Sequence, residues 1–146
     1  MDLESWLKQG TIKPFKSAKT QIDDLLTSAK SDLEASKEII RLGRYSIGRD
    51  TAYEAMLKAG MALMFYEGFR PEVGSHHVTI IKFTKRAFSS KHHELVEAFD
   101  RLRRARHSRL YKGKEAVTKT QAESAIKYAQ QLIRLIEIAV TKKSNL

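Results

Sequence analysis

The sequence predicts an all-α domain, an up-and-down four-helix bundle with one extra short helix and an N-terminal extension. Three observations carry that expectation. Gly and Pro number only 7 and 2 in 146 residues, which removes most of the turn signals an all-β chain needs. Apolar residues (42%) and charged residues (30%) stand in a globular balance, at a length that suits one hydrophobic core. Between the few breakers, apolar residues recur with the period of a helix.

Residues 1–17 form the extension, and 18–146 the bundle. Leu3, Trp6 and Leu7 are spaced for one short helical turn docking on the body, and Pro14 breaks any regular structure after it. A first long helix begins near Thr20, carries Ile22, Leu25, Leu26, Ala29, Leu33 and Ile40 on one stripe, and ends at Gly43. A second covers Ile47 to Gly68. Its apolar residues, Ala52 through Met64, span so wide an arc that it must be a central helix, with Gly60 a point of close packing. The segment 69–76, FRPEVGSH, reads as a loop. A short third helix fits His77 to Phe88, against the weak helix propensity of Val78, Thr79, Ile80 and Ile81. Ser89 and Ser90 offer a cap for a fourth helix from about Lys91 to Leu110. A turn at Lys112–Val117 leads to a last helix starting at Thr118 or Thr120, striped by Ala122, Ile126, Ala129, Ile133, Ile136 and Val140. Short connections between four long helices favour antiparallel neighbours.

Several function classes drop out early. The chain has no cysteine, which removes disulfide and thiolate chemistry. No apolar run approaches the ~18 residues that would cross a bilayer. The opening MDLESWLKQG carries acids and lacks the apolar core of a secretory signal, so a cytoplasmic location is expected. No Gly-rich phosphate loop and no Ser/His/Asp signature is present, and no cofactor is expected.

Charge narrows the choice further. The formal net charge is +10. Residues 1–40 carry six basic and seven acidic side chains, whereas residues 82–114 carry eleven basic and three acidic. An excess concentrated in one stretch points to an anionic partner there, although a solvated helix face in a Lys-rich protein gives the same pattern.

Within that stretch the fourth helix holds an anomaly. At 100° per residue, Leu95, Phe99, Leu102 and Leu110 fall within about 80° of one another, and Arg106 falls inside the same arc. An arginine in an apolar stripe is costly to bury unless it is paired. Either an acid on a neighbouring helix pairs it, or the stripe opens into a cleft where Arg106 holds a phosphate with two parallel hydrogen bonds. Arg103 lies three residues earlier on the same side and can share the anion. Arg104, Arg109 and Lys112 extend the basic surface. His107 offers an imidazole for general acid–base work, and Tyr111 offers a ring for stacking and a hydroxyl for phosphate.

The run Arg106-His107-Ser108-Arg109-Leu110-Tyr111 resembles the signature of HEPN domains, the higher-eukaryote and prokaryote nucleotide-binding helical family. Those domains end their third main helix with an arginine, usually followed by asparagine, and place a histidine four to six residues after it. Arg106 matches the arginine, His107 stands where asparagine is common, and Tyr111 stands at the histidine position. A second register pairs Arg101 with His107 but sets the arginine on the wrong face. LESWLKQG, SDLEASKEIIRLGRYSIGRDTAYEAMLKAGMALMFYEGFRP and His76-His77 also look like the family's usual progression.

The resemblance implies a homodimer that binds RNA or a nucleotide, or a toxin-like, metal-independent endoribonuclease in which two motifs meet across the dimer. It assigns Arg106, His107 and Tyr111 to catalysis, and the basic run around them makes Arg103, Arg104, Arg109 and Lys112 the expected nucleic-acid-binding residues. Tyrosine, with a pKa near 10, is a poor base at neutral pH, so a degenerate Arg-x4-Tyr motif can bind without cleaving. The alternative is a non-catalytic module partnering a minimal nucleotidyltransferase, as small members of this family resemble. His76-His77 and His92-His93 invite a metal reading, but adjacent histidines diverge by about 100° on a helix. No carboxylate stands at a zinc-binding spacing, and no metal site is expected.

Overall fold

The computed structural model describes residues 2–74, 76–112 and 116–144, with side chains for all of these except 111–112 and 142–144. In chain order the elements are α1 (Leu3–Gln9), β1 (Ile12–Pro14), α2 (Lys19–Arg41), α3 (Tyr45–Glu67), β2 (Phe69–Pro71), α4 (His76–Phe88), α5 (His93–Lys112) and α6 (Lys119–Ser144). The all-α expectation holds, and each long helix lies within a few residues of its expected bounds.

α3 is the centre of the bundle, packed against α2, α4, α5 and α6. Its small residues make this possible. Ala52, Ala55, Ala59 and Ala62 are fully buried, so neighbouring helices approach from several sides. At Gly60 a Cβ would sit 2.5 Å from Ile80 Cγ2 and 3.1 Å from Thr84 Oγ1. The glycine therefore sets how closely α4 rides on α3. That packing also accounts for α4 itself. Thr79, Ile80, Ile81, Phe83 and Thr84 are all buried, and their tertiary burial outweighs the few tenths of a kcal/mol that β-branching costs each helical residue.

Helix ends follow their sequence signals. α2 ends ahead of Gly43 and α3 at Gly68, both left-handed, with φ of 80° and 94°. At the start of α6, Thr118 Oγ1 accepts from Gln121 N–H (3.1 Å) while Gln121 Oε1 accepts from Thr118 N–H (3.0 Å), a reciprocal capping box. α5 departs slightly. Ser89–Lys91 form a turn, and the helix starts at His93.

Two expectations are corrected. The N-terminal segment makes seven residues of helix instead of one turn, capped by Asp2, whose Oδ1 accepts from Ser5 N–H at 2.9 Å. Trp6 from this helix is buried and faces the Phe83 ring at 6.4 Å. The segment then pairs as β1, antiparallel to β2, with Ile12 opposite Pro71 and Pro14 opposite Phe69, so the start of the expected loop at 69–76 is a strand, and α4 already begins at His76. Pro14 does not end the structure. A proline is tolerated in a two-stranded ribbon, where each strand has a free edge. The second correction concerns Leu110, expected on the core stripe of α5. Leu95 and Phe99 are buried, Leu102 is half-buried, and Leu110 is 56% exposed. Its angular position is as expected, but at that turn the stripe borders an open hollow beside α4 instead of packed side chains.

Candidate functional site

The end of the α5 stripe opens into a cleft of about 400 Å³ between α3, α4 and α5. Arg103, Arg106, His107 and Leu110 reach it from α5, His77 and Val78 from the first turn of α4, and Tyr53 from α3. Arg106 is paired with an acid of a neighbouring helix, and the stripe also opens into a cleft. Its Nη2 lies 3.4 Å from Glu54 Oε1 on α3, and its side chain still lines the cleft, about one-third exposed.

Acids from outside the basic run hold the other arginines. Arg103 Nε donates to Asp100 Oδ1 at 3.0 Å, one turn back on α5. Arg109 pairs with Asp50 of α3, whose carboxylate is largely buried. Arg109 therefore sits in the α3–α5 contact rather than in the cleft lining. Arg104 Nε lies 3.4 Å from Asp100 Oδ2, and its side chain turns to the opposite side of α5, facing α6. The side chains of Tyr111 and Lys112 lie outside the described residues. Of the seven expected site residues, Arg103, Arg106 and His107 are brought together, while Arg104 and Arg109 are placed elsewhere.

The structure adds a pair that sequence patterning does not single out as a site. Tyr53 Oη and His77 Nδ1 are 3.1 Å apart, and their rings meet at 5.8 Å. Tyr53 is 1% exposed, and burial pushes its phenol well above the ordinary range, so the hydroxyl keeps its proton. A buried hydroxyl needs an acceptor, and His77 Nδ1 is placed to be one. Burial also lowers the pKa of His77, and His76, Arg106 and Arg103 push it in the same direction. The imidazole is therefore neutral, with Nδ1 accepting and its proton on Nε2. The site thus offers two guanidinium forks and one neutral N–H donor, a set suited to the oxygens of a phosphate.

A sequence signal for Tyr53 exists. Arg49, Tyr53, Met56 and Gly60 stand at i, i+4, i+7 and i+11, so Tyr53 places a polar tip inside the buried arc of α3. His76 and His77, which in sequence invite a metal reading, line this cleft instead, while His92 and His93 line another hollow. Among the described residues no three His, Cys, Asp or Glu side chains cluster as a metal site, and no helix is long and apolar enough to cross a membrane.

Among curated proteins and among solved structures, nothing matches the chain significantly. The family model described as HEPN domain matches residues 22–139, from the first turn of α2 to near the end of α6. That span covers the four long helices, the cleft and the Arg106 run, and the chain belongs to the HEPN domain family.

Proposed function

We propose that this protein binds RNA as a homodimer, with a phosphodiester held in the α3–α4–α5 cleft by Arg106 and Arg103. The observation that carries the reading is the meeting of two arginines and a neutral imidazole in one open cleft of a HEPN chain. The carboxylates of Glu54 and Asp100 pre-position the guanidiniums without burying them, and a phosphate displaces or shares these contacts. Val73 (85% exposed), Val78 (36%) and Leu110 (56%) lie at or beside this cleft. Such an apolar fringe beside a charged cleft suits a second copy of the chain, which would set two clefts side by side.

Cleavage is the second reading, favoured by His107 in the same cleft as Arg106. In that reaction His107 takes the proton of the ribose 2′-hydroxyl as its oxygen attacks phosphorus. The bond to the 5′-oxygen breaks, water protonates the leaving oxygen, and the arginines face the charge on the phosphoryl oxygens.

The test is a mixed RNA pool incubated with purified protein in EDTA, beside an Arg106→Ala variant checked for folding by circular dichroism. Losing hydrogen bonds to a charged partner should weaken RNA binding by roughly tenfold or more. Cleavage by the parent and not by the variant would establish the catalytic version. Equal RNA binding by both proteins would sink the proposal. A stable complex with a minimal nucleotidyltransferase and no RNA retention would favour the partner-module alternative.

A further inference from the structure

The opposite side of α5 carries a second cationic surface, and it is continuous. Two adjoining hollows of about 440 and 500 Å³ run between α5 and α6 and share Ser124 and Tyr128. Lys91, His92 and His93 stand at one end, where α5 begins, with Lys127 across from them on α6. Arg101, Arg104 and the buried Arg49 stand toward the other end.

We infer that this α5–α6 groove is a track for single-stranded RNA, separate from the Arg106 cleft. The inference deepens the proposed function, on which it rests, by naming the form of nucleic acid and a second surface that holds it. Three observations point to this occupant. First, the charge is one-sided. Glu94 is the acid of the lining, and its Oε1 accepts a hydrogen bond from Tyr128 Oη at 2.9 Å. Lys91, Lys127 and Arg101 are exposed, and Arg101 interacts with the Tyr128 hydroxyl. Second, the floor is apolar and shallow. Ala98, Leu102, Ala105 and Ala125 form it, and the Tyr128 ring walls it. Bases can lie on such a floor while phosphates meet cations at the margins, the alternation that single-strand binders use. Third, the dimensions fit. From His93, where α5 begins, to Arg104 the helix rise of about 1.5 Å per residue gives roughly 16 Å, longer than one nucleotide. A groove between neighbouring helices, whose axes typically lie about 8–10 Å apart, is too narrow for a duplex.

Arg104 thereby acquires a role different from the one its sequence neighbours suggest. Arg103 and Arg106 face the cleft, whereas Arg101 and Arg104 face the groove. One basic helix serves two surfaces.

The experiment measures fluorescence anisotropy of a labelled uridine tetranucleotide and a uridine dodecanucleotide over a series of salt concentrations. Three proteins are compared. They are the parent chain, a groove variant (Lys91→Gln, Arg101→Gln, Lys127→Gln) and a cleft variant (Arg103→Ala, Arg106→Ala). The parent should bind the dodecanucleotide more tightly than the tetranucleotide. The groove variant should lose that gain, and its log–log salt slope should fall by about 2, since each single-strand phosphate contact contributes about 0.7. The groove variant matching the parent in dodecanucleotide affinity and slope would overturn the inference while leaving the cleft reading intact. An unchanged cleft variant beside a weakened groove variant would instead sink the cleft reading and uphold the groove. Groove-dependent preference for duplex RNA, or displacement of the dodecanucleotide by a glutamate dodecapeptide at equal concentration, would replace single-stranded RNA with another occupant. Failure of the parent to bind either oligonucleotide would overturn both proposals.

Discussion

Side chains adjacent in sequence serve different purposes in this molecule, and the Tyr53–His77 pair shows how finely one residue can be set. Tyr53 Oη lies 3.1 Å from Nδ1, and protonating His77 would place a charge in a partly buried site beside His76, Arg106 and Arg103. Tyr53→Phe removes the donor and keeps the ring. Because burial and then His76, Arg106 and Arg103 hold the His77 pKa down, it should stay below the ordinary value in this variant, read by NMR titration of the imidazole. The stability cost, from urea melts, should be about 1 kcal/mol. The sign of the linked effect on stability is fixed. His77 is lowered in the fold, so below about pH 6.5 the unfolded chain binds the extra proton, and stability falls on acidification. The parent should lose more stability than His77→Gln between about pH 7.5 and pH 5. An equal loss in both would refute the assignment.

Among the elements, α3 has the least freedom. It is contacted on four sides, and its alanines and Gly60 define the separations. Gly60→Ala would place a Cβ against the branched, buried Ile80, which has no room to yield. An overpacked core costs about 1–3 kcal/mol, more than the gain of up to about 1 kcal/mol expected for replacing a helical glycine by alanine. We therefore expect a net loss, measured as a lower urea midpoint with an unchanged m-value. A midpoint at or above that of the parent would show that α4 can shift outward. Because α4 carries His77, the same variant should also weaken RNA binding in the cleft if α4 moves.

On the scale of the whole molecule, charge and oligomerisation are linked. The basic run looks far more positive in sequence than in space, because α3 brings Asp50 and Glu54 against Arg109 and Arg106. The surface that results is a partly neutralised cleft with an apolar fringe, which fits a protein contact better than bare positive charge would. If that fringe is the dimer interface, the parent should sediment as twice 16.7 kDa at micromolar concentration, and Val73→Asp with Leu110→Asp should sediment as a monomer. A monomeric parent would exclude a site shared between two copies in the isolated protein. Both positions are exposed in the single chain, so the variant should stay folded, with a thermal midpoint that no longer rises with protein concentration as the dimer's does.

Periodicity alone determined the helices here. The stripes of α2, α5 and α6 and the wide arc of α3 are local properties that a 3.6-residue repeat makes visible, and glycine and capping signals mark most of their ends. Arg106 was legible for the same reason, as a charge standing within an apolar arc. The contacts between elements were not legible. The β1–β2 ribbon joins three-residue strands more than fifty positions apart, too short to show a period. The Tyr53–His77 bond, the acids that neutralise the basic run, and the division of α5 into a cleft side and a groove side all depend on which helices become neighbours. Only the tertiary structure decided those, because hydrogen bonds and ion pairs act over a few ångströms of space and take no account of distance along the chain.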